Sequence, residues 1–170
     1  MVTFPFLPFL ETGNAEVDED HRTLLGIANR LADPIERMNP DLVRVTLAEL
    51  SRYTTEHFAR EEAWMRSIGW PETDAHVLKH AALASRIADW RRKVDEHWQP
   101  WLGGTVFVIT CEWLLHHVVD EDARIGVFAR TGHVPPRTVR RPIRHRPVID
   151  VAAQHRAMGR GADLPCGAAG

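Results

Sequence analysis

Along this chain apolar residues return at alternating four- and three-residue steps, the spacing of one helical face, in four successive stretches. Asp18 stands where an N-cap is expected, and His21, Leu24, Ala28, Leu31 and Ile35 follow it at that spacing. This predicts a first helix of about 16 to 18 residues that ends before Asn39-Pro40. Pro40 at a first helical position, followed by Asp41, opens a second helix whose stripe runs Val43, Leu47, Leu50, Thr54, His57, Glu61, Trp64. Gly69 and Pro71 close it, and Thr73 or Asp74 caps the next.

The third helix is expected from Asp74 to His97 with the stripe His76, His80, Leu83, Ile87, Trp90, Val94. Residues Trp98 to Gly104 read as a connection. A fourth helix is expected from Thr105 to Phe128, with Val106, Ile109, Thr110, Trp113 and His117 on one side. Four amphipathic helices joined mostly by short connections predict an all-α, antiparallel up-down-up-down four-helix bundle. An N-terminal arm carrying Phe4, Phe6, Phe9 and Leu10 would lie across it.

From Thr131 the periodicity stops. Pro135, Pro136, Pro142, Pro147 and Pro165, spread arginines and a Gly-rich end bury little apolar surface, so residues 131–170 are expected to be a disordered basic tail after a bundle of residues 1–130. A short helix is conceivable only over Val148 to Met158.

Charge sharpens that division. The formal charge of -2 on 170 residues hides seven Arg and two Asp in residues 131–170, a net of +5 that leaves -7 on the body. The tail is read as a solvated appendage rather than as a contact for nucleic acid or another acidic partner. Cys111 and Cys166 make no disulfide framework, which fits a reducing cytoplasm, and Cys111 reads as inert core. The opening residues lack a basic start and are broken by Pro5 and Pro8, unlike a signal peptide, and no apolar run approaches the length of a membrane span. A monomer is the expected state.

The polar residues on the helical seams carry the chemistry. His57 with Glu61, and His76 with His80, are four residues apart and so share a helical face. In an antiparallel bundle His21 near the start of helix one, His57 and Glu61 near the end of helix two, and His76 and His80 near the start of helix three fall at one end. The fourth helix places His116, His117, Asp120, Glu121 and Asp122 at that same end. A lone buried histidine is ordinarily a hydrogen-bonded core residue, but this many imidazoles and carboxylates at one level would each cost about 1–3 kcal/mol unsatisfied. A transition metal removes that cost, and imidazole with carboxylate suits iron, zinc, copper or manganese. The zinc-hydrolase pattern His-Glu-x-x-His is absent, because Val77 follows His76.

Helical geometry alone would pair His116 with Asp120 or His117 with Glu121, whereas His117 with Asp122 requires the last turn to loosen. Periodicity favours His117, four residues after Trp113, and does not select the acid. The remaining histidines, His97, His133, His145 and His155, read as surface or tail residues.

His21, the two pairs, and Trp113-Leu114-Leu115-His116-His117 with Asp122 resemble the ligand pattern of the hemerythrins, the single-domain bacteriohemerythrins in particular. The lead-in Leu10-Glu11-Thr12-Gly13, Val17 through His21, and Tyr53 before His57-Phe58 with Glu61-Glu62 and Met65 are similar too, so the likeness spans residues 4–128. It implies two iron ions with an oxo or hydroxo bridge. One would be held by His76, His80 and His117, the other by His21 and His57, with Glu61 and Asp122 bridging; that choice selects Asp122 on the fourth helix.

The resemblance further implies reversible O2 binding, for carriage, storage or delivery, at an open position on the His21 and His57 side. Leu24, Trp113 and Leu114 are the candidates for the apolar wall of that O2 pocket, and as seam residues they serve equally as plain core. A sensor or iron-handling module, or a di-iron enzyme reducing peroxide or nitric oxide, are the alternative uses of such a centre, and no proton relay or second substrate site is evident for an enzyme. Asp20 replaces the glutamine usual before the first histidine and Phe6 a common tryptophan, and Asp20 can accept a hydrogen bond beside the ligands.

Overall fold

Asn14, not Asp18, opens the first helix, α1 (Ala15–Asn29), accepting hydrogen bonds from the backbone N–H groups of Glu16 and Val17 at 3.1 and 3.2 Å. Asp18 is buried in the first turn instead. Its carboxylate accepts from the Thr12 N–H and hydroxyl at 2.7 and 2.8 Å and from the Gly13 N–H at 3.1 Å, which folds the lead-in back over the helix start. The structure is a computed structural model that describes residues 3–137. The rest of the tail, with its expected short helix over Val148–Met158, lies outside the described residues.

α1 also stops earlier than its apolar spacing suggested. The Asn29 side chain accepts from the Phe4 N–H and donates to the Phe4 carbonyl, both at 2.9 Å, so the helix end is used to hold the arm. Pro34 disfavours helical backbone at Asp33, and Ile35, expected on the inward stripe, is 76% exposed.

α2 (Pro40–Ile68) begins with Pro40 behind an Asn39 cap and ends at Gly69, whose left-handed φ of 69° closes the last turn. Val43, Leu47, Leu50, Thr54, His57 and Glu61 are buried along its seam, and there the expected pattern shifts by one residue. Met65 takes the next core place and Trp64 is half-buried. α3 (Thr73–Glu96) buries His76, His80, Leu83, Ile87 and Val94, with Trp90 half-buried.

The segment expected as a connection is helical. α4 (Pro100–His117) starts at Pro100, and Gly103 is a close-approach position inside it, since a Cβ there would stand 1.8 Å from the Arg37 carbonyl oxygen. The buried side of α4 carries Val106, Phe107, Cys111, Leu114 and His117, whereas Ile109, Thr110 and Trp113 are half-buried. A π-helical segment, Val118–Asp122, joins it to α5 (Ala123–Thr131). Over Pro100–Thr131 one 18-residue stretch is long and apolar enough to cross a membrane by length and composition, although no unbroken apolar run predicted it. Val106, Phe107, Val108, Ile109, Cys111, Leu114 and Leu115, with Glu112 as the single acid of α4, raise its mean hydropathy, and 44% of the stretch is buried within the bundle.

α2 packs along α3 and α1, and α1 against α4, giving the antiparallel four-helix bundle. Its core is layered. Ala28, Leu31, Val43, Leu47, Val94, Val106, Phe107 and Cys111 fill one end, and Leu10, Leu24, Leu50, Ile87, Leu114 and Val118 form the next layer. Met65, Trp70 and Ile125 close the opposite end. Between the last two layers the seams carry histidines and carboxylates.

Candidate metal centre

The helices deliver seven polar side chains to that level: His21 from α1, His57 and Glu61 from α2, His76 and His80 from α3, His117 from α4 and Asp122 from the π-helical segment. None is more than 6% exposed, and His21, Glu61 and Asp122 are at 0%. The π-helical segment does what α-helical spacing forbids. Its backbone bond from Ala123 N–H to the Val118 carbonyl spans five residues, so His117 and Asp122 share a face. The four-residue alternatives point elsewhere: His116 is exposed and paired with Asp120, and Glu121 is paired with Lys79.

The seven fall into two groups. Ligand atoms of Glu61, His76, His80 and His117 lie within 4.8 Å of one another, as do those of His21, His57 and Asp122. The carboxylates join the groups. Glu61 Oε2 is 3.0 Å from His80 Nε2, 3.3 Å from His76 Nε2 and 3.9 Å from His57 Nε2; Asp122 Oδ1 is 3.3 Å from both His76 and His117 Nε2, and its Oδ2 is 3.2 Å from His21 Nε2. Buried polar atoms ordinarily have directed hydrogen bonds, yet Nε2 of His21, His76, His80 and His117 and both oxygens of Glu61 and Asp122 have none. Convergent lone pairs without donors are a cation site, and this donor set fits a transition metal.

The electrostatics agree. Burial pushes the Glu61 carboxyl up, and Asp122 beside it does the same, but the favourable approach of the His76 and His80 imidazoles outweighs both and holds it at about 2. Burial likewise opposes ionisation of Asp122, and His117, His21 and His76 overcome it to keep the group well below the usual carboxylate range. His76, between the two acids, is raised to about 10 despite burial. Burial and the neighbouring His76 and His80 lower His117 to about 4, keeping that imidazole neutral. Two ionised carboxylates among imidazoles make a pocket for positive charge.

A shell around the cluster fixes the rings. The acceptor role expected of Asp20 falls on His57, whose Nδ1 is 3.4 Å from Asp20 Oδ2. Arg60 clamps both oxygens of Asp20 at 2.7 and 2.8 Å, and the Tyr53 hydroxyl donates to it at 3.1 Å. His80 Nδ1 lies 3.1 Å from Glu62 Oε1, and the Phe58 ring stacks on His80 with centroids 3.8 Å apart. Arg60 carried no signal of this in the sequence, being 40 residues from its partner, and Glu62 stood within the family-like Glu61-Glu62 without its bond to His80 being legible.

The three apolar wall candidates divide. Leu24 and Leu114 are buried in the layer beneath the cluster, one helical turn from His21 and His117. Trp113 is half-buried and lies nearly parallel to His117, with ring centroids 5.8 Å apart at 14°. Cys111 is fully buried, and burial pushes its thiol up to about 12, as an inert core residue requires.

Residues 12–128 match the family described as Hemerythrin HHE cation binding domain. The chain belongs to the hemerythrin family. It is similar to the bacteriohemerythrin of Pseudomonas aeruginosa, at 26% identity over 114 residues that cover 67% of this chain and 73% of the relative. The bacteriohemerythrin of Clostridium acetobutylicum is 28% identical over 121 residues, 66% of this chain and 90% of the relative, and that of Stenotrophomonas maltophilia 27% over 129 residues, 71% and 83%. For a member of the hemerythrin family, a buried cation-binding cluster inside a helical bundle is the expected arrangement, and the matched span contains all seven clustered residues.

Proposed function

We propose that this chain binds O2 reversibly at a di-iron centre held by His76, His80 and His117 on one side and His21 and His57 on the other, with Glu61 and Asp122 shared between them. The observation that carries the reading is the division of seven buried ligand residues into two adjoining groups, in which the inward polar atoms of His21, Glu61, His76, His80, His117 and Asp122 have no directed hydrogen-bond partner. Iron held by these residues would supply the electrons that reversible O2 binding requires.

The protein's part follows from its own side chains. Five imidazoles against two carboxylates place little negative charge on the metals, which favours reversible binding over oxygen activation. Asp20 and Glu62 accept from the outer nitrogens of His57 and His80, so each ring keeps its inner nitrogen directed at the cluster. Leu24 and Leu114 exclude water from the layer beneath, and the group of His21, His57 and Asp122 has one protein donor fewer than the other, so a metal held there would leave room for a small ligand.

The test is iron content together with the ultraviolet-visible spectrum of protein reduced without air, exposed to O2 and purged. About two irons per chain, with bands that appear with O2 and fade on purging, is the expected result. Irons that turn irreversibly ferric would favour a di-iron oxidoreductase instead, and the absence of iron would remove the reading.

A further inference from the structure

We propose that the cleft between α3 and α4 is a binding site for a small planar aromatic anion, seated on Trp113 and held by Arg86. In this bundle α3 lies along α2 and α4 against α1, while α3 and α4 approach each other less closely. The gap is a recess of about 280 Å³ lined by Lys79, Ala82, Leu83 and Arg86 from α3 and by Trp113, His116 and His117 from α4, with Glu121 at its rim. Residues 82 and 83 lie three and four positions after 79 and four and three before 86, so the four form one continuous face of α3.

The lining specifies the ligand. Leu83, Ala82 and the Trp113 indole offer an apolar slot. The indole stacks on His117 by one side, and a flat ring placed in the recess finds an aromatic surface there. Positive charge dominates the edge. Glu121 is the acid in the lining, and it is engaged by Lys79, by Arg124 at 3.8 Å and by Arg137 at 3.6 Å. Arg86 is exposed at the mouth and has no ion-pair partner among the described residues. A guanidinium presents a fork matched to a carboxylate or phosphate, so the anionic end of the ligand belongs there. The volume lies just under the ~300 Å³ at which pockets for drug-sized molecules begin, which selects a molecule of one or two rings.

The position gives the site a purpose. His117 is both a wall of the recess and a member of the buried cluster, so an occupant touches the group containing His76, His80 and His117 from outside. His21 and His57 come from α1 and α2, which do not line the recess. A ligand can therefore act on the cluster without entering the side proposed for O2.

The experiment is calorimetric titration with 2-naphthoate, compared with the cation 2-naphthylmethylamine at equal concentrations. It is run on the protein as isolated, on iron-loaded protein and on zinc-loaded protein. Saturable one-to-one binding of naphthoate is expected, at least about tenfold tighter than the amine and weakened by salt. Arg86→Gln is expected to lose about tenfold in naphthoate affinity, and Ala82→Trp, which fills the slot from an exposed position, to abolish binding, both with unchanged helical circular dichroism and metal content. Equal binding of acid and amine, full affinity in either variant, or no saturable binding would overturn the proposal. Because the readout does not need O2, a chain that binds naphthoate but not O2 removes the O2-binding reading and leaves this one standing.

Discussion

His117 and Asp122 meet at 3.3 Å, Nε2 to Oδ1, although they stand five positions apart in the chain. The π-helical segment Val118–Asp122 turns Asp122 into the cluster, while Asp120, also buried, pairs with the exposed His116 instead. Asp122→Ala should therefore lose most of the bound iron, whereas Asp120→Ala should keep it. Iron per chain, measured by emission spectrometry on both variants, decides the matter, and equal loss from the two would mean that the acids are not distinguished as the fold distinguishes them.

Arg60 holds Asp20 with two hydrogen bonds, and Asp20 is only 4% exposed. Removing the cation leaves a buried carboxylate short of donors, so Arg60→Met should destabilise the protein by about 1–3 kcal/mol. Adding Asp20→Asn should restore part of the loss, because the uncompensated charge is gone. Urea unfolding of the two single variants and the double variant measures the coupling.

Glu72 accepts from Arg124 at 2.8 and 3.1 Å and from Arg137 at 2.7 Å, and these guanidinium groups lower its pKa from 4.5 to about 2. A depressed carboxyl stabilises the fold fully above pH 4.5, and the contribution disappears as pH falls towards 2. Glu72→Gln should therefore be less stable than the parent at pH 6, with the difference shrinking through that acid window. Thermal unfolding of both proteins at a series of pH values tests it, and a difference independent of pH would assign the effect to packing.

A Cβ on Gly126 would stand 2.1 Å from the Thr12 carbonyl oxygen, which also accepts from Arg130 at 2.7 Å. The arm and α5 cannot both keep their places around an added methyl group. Gly126→Ala should cost about 3 kcal/mol, since backbone cannot step aside as a side chain can. Chemical denaturation provides the number, and a loss below about 0.5 kcal/mol would show that the arm is free to move there.

Several features were legible in the chain itself. The seams of α2 and α3 follow directly from 4-3 spacing, because a straight helix buries whatever recurs at its own period. His57, Glu61, His76 and His80 sit on those seams, so both pairs were visible before any packing was known. Height matching in an antiparallel bundle then placed His21 and the end of the fourth helix at the same level. The helix ends were less legible. Ile35 continued the first stripe, yet α1 had stopped at Asn29, whose side chain was needed by Phe4, a contact 25 residues away. Trp98 to Gly104 read as a loop because glycine usually marks one, whereas Gly103 is there to admit the Arg37 backbone.

What the sequence determined by itself is the class of fold and the chemistry of its interior, because periodicity and side-chain type are local properties of the chain. What tertiary structure decided is which atoms meet. Helical spacing left Asp122 open against Asp120 and Glu121 and the resemblance selected it, but the π-helical turn that brings it beside His117, the capture of Asp20 by Arg60, and the opening between α3 and α4 each depend on backbone geometry or on partners far away in sequence. No local period encodes such contacts, since they form only when the helices have packed.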